Sequence, residues 1–373
     1  MDPAERAAWL RLLLTPGIGP RTARMLLAAF GLPQAVFAAG RTALGRHVPA
    51  ELSGVLRQPP AAAIEATIEK TQRWLDAAAD RSLLTLADPD YPAALLECPD
   101  PPTVLFACGR RTLLATPALA IVGSRSCTQQ GRETAEAFAR TLTHGGLSIV
   151  SGLAVGIDAA AHRGALQAAE QGAGASTVAI LGTGIDVVYP PGHRDLADAV
   201  RGRGLLLSEF VPGTPALARN FPRRNRIIAG LARGVLVVEA ALRSGSLITA
   251  RLAGELGREV FAIPGSIHSP TARGCHRLIK DGAKLVESAQ DVLEELHLPA
   301  PATSRRPEEA AAPDGIGAEQ SALLAALGHD PVDLDTLAQR CARDAGSLSA
   351  ALLELELAQH VERLPGNRYQ RLR

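Results

Sequence analysis

The apolar positions of this chain change rhythm near residue 115. Before that point they recur mainly at helical spacing. After it, short apolar runs alternate with helical patterns. The runs predict strands at Leu119–Val122, Ser148–Ser151, Thr177–Leu181, Leu205–Ser208, Gly234–Glu239, Val260–Ile263 and Lys284–Val286. The intervening patterns predict helices over about 131–143, 158–170, 193–202, 225–232 and 247–256. Strands alternating with helices make a parallel sheet covered on both faces, a doubly wound α/β domain. Ligands of such folds bind beyond the carboxyl ends of the strands.

The flanking regions differ. An apolar stripe at Trp9–Leu14, then Thr15-Pro-Gly-Ile-Gly-Pro20, then Arg21–Phe30 predicts two short helices around a glycine hairpin. Two readings stand: a helix-hairpin-helix (SAM-like) motif whose hairpin N–H groups meet a phosphate, or a plain αα-turn. A further helix is expected over 61–80, followed by turn-rich passages at Asp88–Pro92 and Pro99–Pro102. Residues 298–317 are rich in Pro, Ala, Glu and Arg and have no apolar period, so they read as a linker. Helical patterns at about 318–327, 333–342 and 347–359, then a Pro-Gly-Asn turn within Val361–Gln370, predict a winged-helix-like tail. The tail helices are not conspicuously basic, which favours protein interaction over duplex binding. The expected organisation is a helical domain over 1–80, the α/β domain over 81–297, the linker, and the tail over 318–373.

The strand-following loops carry the candidate chemistry. They read Gly123-Ser-Arg125, Ser151–Asp158, Leu181–Gly184, Ser208–Phe210 and Ser244–Ser246. None is GxGxxG or GxxxxGK[ST], so neither a dinucleotide fingerprint nor a P-loop is supported. Around Phe221, Arg219, Arg223, Arg224, Asn225 and Arg226 crowd the mouth of a predicted helix. Free N–H groups there favour anions, guanidinium forks suit phosphate oxygens, and Phe221 offers a flat face for a base. The alternative is a solvated basic helix start paired with acids.

Net charge is only +1, so any polyanion site is local. The five cysteines form no CxxC pair, which argues against structural zinc and a disulfide framework and for a reducing cytoplasm. Asp2 and Glu5 precede the first apolar run, unlike a signal peptide, and no stretch approaches a membrane span. Asp158 and His162, four apart, could serve a metal or an acid/base pair; an Asp near a helix start is more often a cap. Glu209 and Glu239 end strands, where they could act on a substrate or hold the arginines in place. No catalytic residue and no metal site is assigned.

With these residues in view, the chain resembles the DprA (Smf) family of DNA-processing proteins of bacterial transformation. The matching segments are Ile121–Arg125, Ser151–His162, Val178–Pro190, Phe221–Leu231, Val238–Ala240 with Ser244–Arg251, and Val260–Gly265. The resemblance implies an extended Rossmann-like domain that binds single-stranded DNA without hydrolysing it and needs no cofactor. It implies partnership with the RecA recombinase, loaded onto the strand. It also implies a homodimer, with the self-association face near Gly274–Leu285 (His276, Ile279, Leu285). By position, the DNA pocket includes Gly123, Ser124, Arg125, Phe221, Arg224 and Asn225. Relatives often carry a lysine three residues before the phenylalanine; here that place is Ala218, and Arg219 is expected to supply charge from another direction. The runner-up is a nucleoside-monophosphate phosphoribohydrolase with a PGGxGTxxE loop. Aligned on Thr249, the place of its glutamate is Leu252 here.

Overall fold

The computed structural model describes residues 1–298, 318–328, 331–341 and 343–372. The expected linker therefore lies, beyond residue 298, outside the described residues. The chain forms two compact units, a large one carrying the sheet and a small C-terminal one.

The large unit is built on nine strands: β1 (Arg81–Thr85), β2 (Val104–Gly109), β3 (Ala118–Val122), β4 (Ser148–Ser151), β5 (Thr177–Ile180), β6 (Leu205–Ser208), β7 (Gly234–Val237), β8 (Glu259–Ala262) and β9 (Lys284–Leu285). Their order is β1-β2-β6-β5-β4-β3-β7-β8-β9. The seven strands from β6 to β9 are parallel, while β2 runs antiparallel to both β6 and β1. Every residue of β3 is buried, as a strand covered on both faces requires. Its alternate residues feed two cores. Ala120 and Val122 meet Ile227, Ile228 and Ala250 on one face, and Leu119 and Ile121 meet Phe138, Leu142 and Ala160 on the other. The Gln129–His144, Ile157–Glu170, Arg194–Arg203, Asn220–Leu231 and Ser246–Glu255 helices supply much of that cover.

β3 is flanked by β4 and β7. From β3 the chain moves outward to β6, then returns to β7 on the other side. The loops after β3 and β7 therefore part at a topological switch point, the crevice where open α/β sheets bind ligands. This topology places Gly123–Arg125 opposite Ala240–Ser246.

Strands β1 and β2 are additions to the expected sheet. Their sequence sits between turn signals, and a short apolar run such as Val104–Cys108 has no periodicity that separates strand from buried helix. Two further helices, Arg273–Lys280 and Ala289–Glu295, were also not foreseen. The second starts at a capping box of Ser288 and Asp291. The N-terminal helices Pro3–Leu14, Pro20–Phe30 and Ala62–Asp76 belong to the same unit, and Trp9, Leu10 and Ile68 share a core with Phe106 and Leu206.

The small unit has helices Ala318–Leu327, Leu334–Cys341 and Ala345–Leu357 and a sheet ordered Val332–Asp333, Arg368–Arg371, Val361–Leu364. This is the winged-helix arrangement, with Leu324, Leu337, Leu352 and Tyr369 in its core. The short strand at Val332 was not part of the expected hairpin.

Candidate nucleic-acid interface

The crevice is a cavity of about 760 Å³, a size that suits a nucleotide-scale ligand. The β3 loop contributes Gly123, Ser124 and Arg125, and the β7 loop contributes Arg243, Ser244 and Ser246. The Asn220–Leu231 helix brings Phe221, Arg224 and Asn225. A backbone bond fixes the two loops against each other, Ser124 N–H donating to Glu239 O (2.7 Å), and Ile157 N–H, at the start of the helix after β4, donates to Ser124 O (3.3 Å). Asn225 Nδ2 reaches Gly245 O at 3.4 Å. The Asn220 and Ser246 helices both start at this cavity, so the positive ends of their dipoles face it.

Arg224 is 4% exposed, yet it lines the cavity. Its Nη1 donates to Ile180 O (2.6 Å), and its Nε has no partner. Burial pulls its pKa down to about 10, with Asp158 acting the other way, so the guanidinium stays charged at neutral pH. The space for it exists because residue 152 is glycine; a Cβ there would overlap the guanidinium. A guanidinium that keeps its charge while lining a cavity is suited to an anion that enters there.

Phe221 is half-buried, and Arg125 is exposed with its guanidinium carbon 6.0 Å from the Phe221 ring centroid. The Tyr189 ring lies 5.4 Å from that of Phe221, tilted by 46°. A Cβ at position 182 would sit 2.8 Å from Phe221 Cδ1, so Gly182 is what lets the ring settle there.

The other arginines go elsewhere. Arg226 does not line the cavity: its Nη2 binds Glu209 at 2.5 Å and its Nε faces Asp100 at 3.4 Å. Arg223 also reaches Glu209 (3.1 Å) and lies against Phe210. The acid-paired alternative describes these two, because the helical turn carries them to the side facing Glu209 while Arg224 points to the crevice. Arg219 is exposed at the helix start and does not line the cavity, which Ala218 does. Tyr189 and Arg243 line the cavity and were not singled out from sequence. The signal for Tyr189 was available: it is one of three tyrosines, a few residues after the Leu181–Gly184 loop and directly before two prolines.

Asp158 and His162 do not form a reactive pair. Asp158 is buried and accepts from Gly152 N–H (3.1 Å) and the Ala154 backbone. Burial pushes its carboxyl pKa up, against the pull of Arg224. Thr177 Oγ1 donates to Ile149 O (2.7 Å), so it accepts from His162 Nδ1–H (2.7 Å). That leaves His162 Nε2 to accept from Leu153 N–H (3.2 Å). Burial holds His162 neutral, its pKa lowered to about 3. It braces Leu153, whose φ of 58° is left-handed. Among the described residues no cluster of three or more His, Cys, Asp or Glu is placed to hold a metal ion. Leu252 packs against the core, where the runner-up enzyme needs a carboxylate.

The residues expected at a self-association face lie at the β9 edge. His276 Nε2 pairs with Gly265 O (2.9 Å), Ile279 packs partly into the core, and Leu285 is 45% exposed. No described helix is long and apolar enough to cross a membrane.

Three family models match: DNA recombination-mediator protein A over 82–297, the DprA winged helix domain over 306–367, and the DprA-like N-terminal HHH domain over 3–40. Protein Smf of Escherichia coli is 42% identical over 82% of this chain and 81% of its own length. The DNA processing protein DprA of Streptococcus pneumoniae is 52% identical over 57% of this chain and 73% of its own. The X-ray structure of the Streptococcus pneumoniae protein superposes with a TM-score of 0.65, at 41% identity, over 76% of this chain and 95% of that one. The Helicobacter pylori DNA processing protein A, solved for its single-stranded DNA binding mode, gives a TM-score of 0.52 at 29% identity, over 58% of this chain and 95% of that one.

Proposed function

Because the chain belongs to the family of DNA recombination-mediator protein A, we propose that it binds single-stranded DNA at the crevice and loads the RecA recombinase onto the bound strand. The work is that of natural transformation and homologous recombination in the cytoplasm, and no bond of the strand is hydrolysed. The observation that carries this reading is the convergence on one cavity of a buried guanidinium that keeps its charge, an exposed arginine, two helix starts and an aromatic wall. Phosphates meet Gly123, Ser124, Arg125, Arg224 and Asn225, and the wall built on Phe221 takes a base. Such contacts read backbone and stacking, so binding is largely indifferent to sequence. Arg219 contributes from the rim, where it meets the strand after it leaves the cavity. The protein acts as a homodimer joined through His276, Ile279 and Leu285.

The test is a loading assay on a strand coated with single-strand-binding protein. Wild type accelerates recombinase ATPase on that strand and leaves the strand at full length. Arg125→Ala, an exposed change that spares the core, binds more weakly and loads poorly. An Arg125→Ala protein equal to wild type in both binding and loading removes the crevice as the DNA site.

A further inference from the structure

We propose that Tyr189, rather than Phe221, presents the ring face on which a nucleobase of the bound strand stacks, and that Phe221 is its buttress. This rests on the single-strand reading above. Phe221 is half-buried and flanked: Gly182 lies close to its edge, Tyr189 leans on it, and the Arg125 guanidinium stands 6.0 Å from its ring centroid. Tyr189 is 44% exposed and lines the same cavity. The free aromatic surface in the crevice is therefore largely the tyrosine's.

Its loop is braced. Thr183 Oγ1 donates to Val187 O (2.5 Å), and Val187 N–H donates to Gly184 O (2.9 Å). Gly184 N–H donates to Thr214 O (2.9 Å). On the far side His193 Nδ1 pairs with Leu153 O (2.9 Å), the residue that His162 holds from within. The hydrogen-bond chain Thr177–His162–Leu153–His193 thus runs from β5 to the segment after Tyr189. A ring held on a braced loop gives up little conformational freedom when a base lands on it. The same chain gives the buried, neutral His162 a purpose: it helps hold the platform.

The test compares two labelled strands with equal phosphates, one with bases and one abasic at successive positions. Wild type prefers the strand with bases. Tyr189→Ala weakens that binding by about fivefold to a hundredfold, the range of one base–aromatic stack, and leaves the abasic strand unchanged. Tyr189→Phe keeps the preference, since it keeps the ring. Tyr189 is half exposed, so these changes spare the core. Equal weakening on both strands, or no weakening on either, overturns the assignment while leaving the single-strand reading intact. Wild type that binds neither strand overturns that reading and this one with it.

Discussion

Arg226→Met separates the structural arginines from those of the crevice. The Arg226 side chain is 11% exposed and Glu209 is 3% exposed, and they meet at 2.5 Å. Without Arg226, Glu209 keeps, among the described residues, the Arg223 ion pair alone, and Arg223 is itself 46% exposed. Removing one partner of a buried pair costs about 3–5 kcal/mol, because the other charge stays buried. Arg223 remains and Asp100 is partly exposed, so the lower end applies, about 3 kcal/mol. With a urea slope of about 3 kcal/mol/M, the midpoint falls by about 1 M. Both tryptophans, Trp9 and Trp74, lie in the sheet-bearing unit, so their fluorescence reports its unfolding.

The deficit has a pH signature. Burial holds the Glu209 carboxyl above its ordinary 4.5, and Arg226 opposes that rise. Loss of Arg226 raises it further. The folded state then holds a proton that the unfolded state has released, so stability falls as pH climbs through that window. The gap between variant and wild type is smallest near pH 4, where Glu209 is protonated in both, and widens toward neutrality. A deficit below about 1 kcal/mol, unchanged with pH, in a folded protein that no longer binds DNA, would refute this account and return Arg226 to the crevice.

Three further outcomes follow from the geometry. Gly152→Ala forces the Arg224 guanidinium from its seat, so strand binding falls along with thermal stability; a variant with wild-type binding contradicts the role of Arg224. His162 has a folded pKa near 3, so its contribution is complete above its ordinary 6.5 and is lost as pH falls from there. His162→Gln is less stable at pH 7.5 but flatter between pH 6.5 and 4 in urea titrations, and a parallel profile removes the neutral-brace reading. Leu285→Asp places a charge on the β9 edge and gives a monomer by sedimentation; an unchanged dimer moves the self-association face elsewhere.

The parallel core of the sheet was legible because its strands are near-continuous apolar runs separated by helical periods. β3, β4 and β6 fall within a residue of their expected bounds. β1 and β2 were hidden, since Arg81–Thr85 and Val104–Gly109 carry no alternation and stand among turn residues. In the crevice, Gly123–Arg125, Phe221, Arg224 and Asn225 were legible as a strand-following loop and a helix mouth. Residue chemistry alone did not rank the arginines, although the family resemblance placed Arg224 in the pocket. Arg223, Arg224 and Arg226 are alike in chemistry, and only the helix phase and the position of Glu209 decide which faces the crevice. Tyr189 was missed for a similar reason: its partner, Phe221, is distant in sequence.

The most direct test of the central claim is fluorescence anisotropy of a labelled mixed-sequence single strand, with unlabelled single strand and duplex as competitors and salt varied. The account predicts binding that single strand competes far better than duplex. It also predicts a log–log salt slope of about −0.7 for each phosphate neutralised, reduced by about that amount in Arg125→Ala. Equal competition by duplex, or no binding at micromolar protein, contradicts it.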